Sequence, residues 1–150
     1  MTQDLVTVIR FAPDHTALVA PAAAEVVVPV GAAALAQRLF RHDPPTAGEI
    51  EQAIDTVEDG LAATGHAQAE RGDLQLGEPR LLDLLGLRHA GARASREQVE
   101  QQFQQLAATA LGRPPEPALR ALGVEGAAQL LILRECLHHL GYGGVRRAAG

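Results

Sequence analysis

Two stretches of the sequence hold side chains whose types and spacing suit chemistry. The first is Glu51, Asp55 and Asp59, spaced i, i+4, i+8, with Glu58 beside them. On a helix these four carboxylates share an arc of roughly 100°. No basic residue between Thr46 and Ala63 is available to pair with them. Like charges at i, i+4 cost about 0.2–0.5 kcal/mol per pair, so either water solvates them or a cation offsets them. That cation is an arginine from elsewhere or from another chain, or a hard divalent metal held by several converging oxygens.

The second stretch is Arg134-Glu135-Cys136-Leu137-His138-His139. Glu135 and His139 stand i, i+4, as do Arg134 and His138. A Glu–His pair at this spacing suits a Zn²⁺ or iron ligand pair, or a base with its orienting carboxylate. Adjacent histidines point about 100° apart on a helix, so both cannot ligate one ion. The plainer reading is a cationic helix end that suits the negative pole of the dipole, with Glu135 as a local salt-bridge partner. A contact surface that responds to pH is a further option. Cys136 lies near a helix C-terminus in an apolar arc, where a thiolate is disfavoured, so it reads as a small core residue.

Other signatures of chemistry are missing from the sequence. There is no GxGxxG or GxxxxGK[ST] phosphate loop, no GxSxG elbow and no HExxH pair. One cysteine excludes an internal disulfide and a CxxC zinc pair. His15, His42, His66 and His89 stand singly in loops, and turn chemistry accounts for Asp14 beside His15.

The elements that must position these groups follow from periodicity. Residues 5–11 alternate and are rich in β-branched types, so they form a strand. A Pro13–Thr16 turn leads to a returning strand at 17–20 and a third at 25–30, where Pro29 marks an edge or an end. Such short connections favour an antiparallel meander. An Ala-rich helix follows Gly31 to about Arg41, burying Leu35, Leu39 and Phe40, and Asp43-Pro-Pro stops it. Thr46-Ala-Gly-Glu49 is a capping box that starts a helix to about Ala63. Its apolar stripe is Ile50, Ala53, Ile54, Val57 and Leu61. Residues 64–78 read as a loop with a brief strand at 74–76, then a short helix from Pro79 through Leu85. Residues 89–94 read as a loop. Ser95-Arg-Glu-Gln98 opens a second capped helix to about Leu111, burying Val99, Phe103, Leu106 and Ala110. A Pro-rich connector and a turn of helix at 118–122 precede the last helix.

That last helix, Glu125–Leu140, is the organising element. Leu130, Ile132, Leu133, Cys136, Leu137 and Leu140 form one broad apolar arc, and Leu131 lies on the side that later turns polar. A helix apolar all round is buried all round. Its first half is therefore expected inside and its second half to surface on one face, with Gly141 as the left-handed cap. Residues 143–150 are expected to fray.

Strands first and helices after spell α+β: a three-stranded antiparallel meander packed against four to five helices, with the C-terminal helix central. Three antiparallel strands and a helix also open the ribonuclease H-like folds. Their catalytic members carry an Asp in the first strand, whereas residues 5–11 hold no carboxylate, so no membership is assigned.

The chain of 150 residues fits a single domain. Aromatics are only 3%, so the core must be Leu, Val and Ala. All 13 basic residues are Arg, and Lys and Asn are absent; a GC-rich genome explains both. A net charge of −5 with few aromatics argues against a nucleic-acid partner. No uncharged apolar run reaches the ~18 residues of a membrane span. The start Met-Thr-Gln-Asp lacks a basic leader, so a cytoplasmic location is expected.

These readings give two functional expectations. In the first, the protein acts by contact, as an accessory or assembly subunit, with a homodimer as one form. Glu51, Asp55, Glu58, Asp59, Arg134 and His138 would meet the partner, and no cofactor would be needed. In the second it is a small metal-dependent enzyme or metal-binding protein that holds a divalent ion with Glu51, Asp55, Glu58, Glu135 and His139. A small apolar ligand between sheet and helices is a third, weaker option.

Overall fold

A computed structural model describes residues 6–21, 23–66, 69 and 71–149. The expected meander is present. Strand β1 (Thr7–Phe11) pairs antiparallel with β2 (Thr16–Val19), which pairs antiparallel with β3 (Val26–Val28). Ile9 and Leu18 point into the core while Arg10 faces solvent, which is the period of two that the sequence carries.

The sheet does not stop at three strands. β4 (Leu74–Leu76) joins β1 in parallel, β6 (Gly144–Arg147) joins β4 in parallel, and β5 (Arg93–Ser95) closes the far edge against β6. Among the described residues the order is β3-β2-β1-β4-β6-β5, a six-stranded mixed sheet. The expected frayed tail is thus corrected. Residues 144–147 form an inner strand, and Gly144 and Val145 are buried. The reason is local. Val145 turns inward while Arg146 turns out, and Gly144 passes so close to Ala94 O that a Cβ there would fall 2.4 Å from it. The expected loop at 89–94 likewise ends in β5 from Arg93.

The helices are α1 (Ala32–Leu39), α2 (Ala47–Ala63), α3 (Pro79–Leu84), α4 (Arg96–Ala110), α5 (Pro117–Arg120) and α6 (Gly123–Leu140). Both capping boxes form: Thr46 accepts from the Glu49 N–H, Ser95 accepts from the Gln98 N–H, and both reciprocal bonds are made. Such caps contribute about 1 kcal/mol each.

Helix α6 is the central element. It packs against α1, α2, α3 and α4, and twelve of its residues are buried. Leu130, Leu131, Ile132, Leu133 and Leu137 are all fully enclosed. At ~1.5–3 kcal/mol each, these side chains make α6 a large contributor to the apolar stabilisation. Gly141 ends the helix at φ 83°, as the cap position requires. One detail is corrected: Glu135, expected on the exposed face, is only 2% exposed.

Candidate functional site

The parallel strands β1, β4 and β6 give the sheet two functionally distinct ends. In open sheets of this kind ligands gather outside the carboxyl ends of the strands, where the chain path reverses direction across the sheet. Here that place lies between β1, whose chain returns through β2, and β4, whose chain continues toward β6.

The β1 side of this crevice is the turn Ala12–His15. Part of its backbone and the Asp14 side chain are engaged internally. The Ala12 N–H donates to His15 O, and the Ala34 N–H in the first turn of α1 donates to Pro13 O. Asp14 and His15 pair at 2.8 Å, and that hydrogen bond holds the exposed Asp14 carboxyl below its ordinary range. Gly31 lets the turn press against α1, because a Cβ there would fall 2.3 Å from Pro13 O. On the β4 and β6 side, Gly77, Pro79, Leu82, Asp83, Arg88 and Arg147 line a hollow of about 380 Å³. Arg147 Nη1 donates to Leu87 O at 2.8 Å.

The charged cluster lies toward the other end, because the last turn of α6 feeds directly into the start of β6. His139 Nε2 sits 2.9 Å from Glu135 Oε2 and 3.2 Å from Glu58 Oε2, so α2 and α6 meet at one imidazole nitrogen. Arg134 Nη1 donates to Glu135 Oε1 at 2.9 Å. Arg134 also grips Glu100 of α4 through Nε at 2.6 Å and Nη2 at 3.2 Å, with its guanidinium 4.3 Å from the Phe103 ring centre. Burial pushes the Glu135 carboxyl above its ordinary range; Arg134 and His139 oppose that push, and Glu58 adds to it. The Arg134 hydrogen bond holds Glu100 below its ordinary range. Burial drives the Cys136 thiol up to about 12, which fits a core residue and no nucleophile.

Of the residues singled out from the sequence, Glu58, Glu135 and His139 come together, with ligand atoms within 4.8 Å of one another. Glu51 and Asp55 are exposed and stand outside that group, as does Asp59. Those three make no ion pair among the described residues. Arg134 is committed inward and His138 is exposed. Sequence reasoning missed Glu100, which lies 34 positions from its partner Arg134. The only signal for it was a charged residue beside the buried Val99–Phe103 stripe.

Two further groups belong to the amino end of the parallel strands. Asp73 clamps Arg93 through two bonds of 2.7 and 3.0 Å and also meets Arg146 at 3.2 Å. A cavity of about 400 Å³ is walled by Leu18, Val26, Leu140 and Tyr142, with Arg71 and Asp73 at its polar side. Among the described residues, no helix is long and apolar enough to cross a membrane.

No family model and no curated protein matches the chain. Solved structures do. The Aquifex aeolicus PPX-GPPA enzyme superposes with a TM-score of 0.72 at 15% identity, over 99% of this chain and 54% of its own. The fold is that of a Ppx/GppA-type domain. A type II variant of the Aquifex aeolicus Ppx/GppA phosphatase gives 0.72 at 14% identity, again over 99% and 54%. An exopolyphosphatase-like protein gives 0.62 at 15% identity, over 96% and 55%. This chain spans about half the length of the solved structures it matches.

Proposed function

We propose that this chain is a Ppx/GppA-type phosphatase-fold domain that acts by contact, as one lobe of an assembly, rather than by hydrolysing a phosphate ester alone. The observation that carries this reading is the state of the β1–β2 turn. A phosphate bound at a helix N-terminus needs free backbone N–H groups and a close backbone approach. Here the α1 N-terminus already receives the Pro13 carbonyl, the Ala12 N–H closes its own turn, and Asp14 is held by His15. The contact surface is the outer face of α2, where Glu51, Asp55 and Asp59 are exposed. It suits an arginine-bearing partner, and a second copy can supply one through exposed Arg38 and Arg41.

Light scattering on the eluting protein tests this across concentration and salt. The expected result is a mass about twice 15.8 kDa at low salt that falls as salt screens the charges. A mass fixed at one chain, unaffected by salt, would remove self-assembly through this face.

A second reading, phosphate chemistry by the chain itself, draws on the match to phosphatases and on Arg88 and Arg147 beside the hollow at the carboxyl ends of β4 and β6. In that reading Arg88 holds an anion, and Asp14 or Glu78 supplies the carboxylate, since both follow carboxyl ends of adjacent parallel strands.

A further inference from the structure

We propose that Glu58, Glu135 and His139 form a Zn²⁺ site joining α2 to α6, with a fourth position open to water. The proposal is independent of the contact reading, because none of its three residues is among Glu51, Asp55 and Asp59, which carry that surface.

Three features of the geometry carry it. First, two carboxylates from different helices address the same atom, His139 Nε2, at 2.9 and 3.2 Å. A neutral imidazole has at most one proton there and cannot serve both fully. A metal ion can. In a tetrahedral site with bonds of ~2.0–2.1 Å, neighbouring ligand atoms lie about 3.3 Å apart, close to these separations.

Second, the buried ligand is held from behind. Glu135 turns Oε2 to the cluster while its Oε1 accepts from Arg134. Arg134 is fixed in turn by the two-bond grip on Glu100 and by the Phe103 ring. An outer hydrogen bond that fixes a carboxylate ligand, itself anchored, is the arrangement metal sites depend on.

Third, the burial is graded. Glu135 is 2% exposed, whereas the Glu58 and His139 side chains are 42% and 37% exposed. The ion can enter from solvent, and the outward side is left for water. One imidazole with two carboxylates favours Zn²⁺ over Mg²⁺ or Ca²⁺, which prefer oxygen-only shells of six or more.

The test is calorimetric titration of Zn²⁺ into the chelator-treated 150-residue chain, with Co²⁺ absorption as a second readout of coordination. The expected result is one ion per chain, a tetrahedral Co²⁺ band, and tighter binding at pH 7.5 than at pH 6, because the ligands must lose their protons. Glu58→Gln and His139→Gln should each weaken binding by at least roughly 10-fold, the loss seen even for outer partners. Both side chains are part-exposed, and circular dichroism would verify that the variants fold. Absence of Zn²⁺ heat and of a Co²⁺ band would overturn the proposal. So would binding that survives both substitutions, which would move the ion to another pair such as His42 and Glu49. If His139 instead only bridges the two carboxylates as an ion pair, metal does not bind and His139→Gln lowers the melting temperature, which would also overturn the proposal.

Discussion

The two ends of this molecule are built on different principles. At the carboxyl ends of the parallel strands the fold supplies a crevice, yet on its β1 side the backbone groups bond to each other and Asp14 pairs with its neighbour. At the other end no crevice is prescribed by topology. There a buried carboxylate, an imidazole and a second carboxylate from another helix converge. The contrast separates architecture from side-chain chemistry: a shared fold locates where ligands gather in general, while side chains decide where this chain concentrates titratable groups.

The largest expected effect tests what the two ends share. Leu131→Ala, in the enclosed first half of α6, should cost about 2–5 kcal/mol in urea unfolding. It should loosen the crevice and the cluster together, because both hang on this helix. A loss confined to one end would show that the ends fold independently.

Gly31→Ala acts on the crevice alone. Its new methyl meets Pro13 O, and overpacking of this kind costs about 1–3 kcal/mol. Hydrogen exchange at the Ala34 amide should speed up while amides around Glu135 keep their protection.

The Asp73 clamp gives a pH signature at the amino end of the parallel strands. Its bonds to Arg93 hold the Asp73 carboxyl below 3.8. A depressed carboxylate stabilises the fold above its unfolded value and loses that contribution as pH falls through the lower folded value. Melting curves between pH 5 and pH 2 should therefore fall more steeply for the wild type than for Asp73→Asn. The difference should be about 1 kcal/mol, because the arginines are part-exposed. Parallel curves would mean that the clamp contributes nothing.

The smallest change in stability should come from the outer face of α2. Glu51→Gln with Asp55→Asn should leave the fold within about 0.5 kcal/mol, as exposed substitutions do. The same pair should weaken salt-dependent assembly in light scattering. Assembly unaffected by it would relocate the contact away from this helix.

Much of this architecture is legible in the residues. Alternation in β1, the Thr46 and Ser95 capping boxes, and the all-round apolar start of α6 each follow from local periods and caps, which need no tertiary information. The β5 and β6 strands were not legible, because three or four residues rich in Arg and Gly carry no alternation that a short window can see. They become strands only because β4 offers an edge and Gly144 permits close approach. The site was half legible. The i, i+4 spacing of Glu135 and His139 lies within one helix, and Glu58 stood out as an acid on another. That these three meet, that Glu135 is buried, and that Glu100 anchors Arg134 depend on how α2 and α4 pack on α6, which no local pattern encodes.

On the proposed contact function, the crevice of this chain does not hydrolyse phosphate esters by itself. The most direct measurement is phosphate release from polyphosphate by the purified chain, with divalent metal supplied, beside the Asp14→Asn, Glu78→Gln and Arg88→Ala variants. The expected result is release equal to the protein-free blank for all four proteins. Sustained release by the wild type that one of these substitutions abolishes would contradict it and make the crevice an active site.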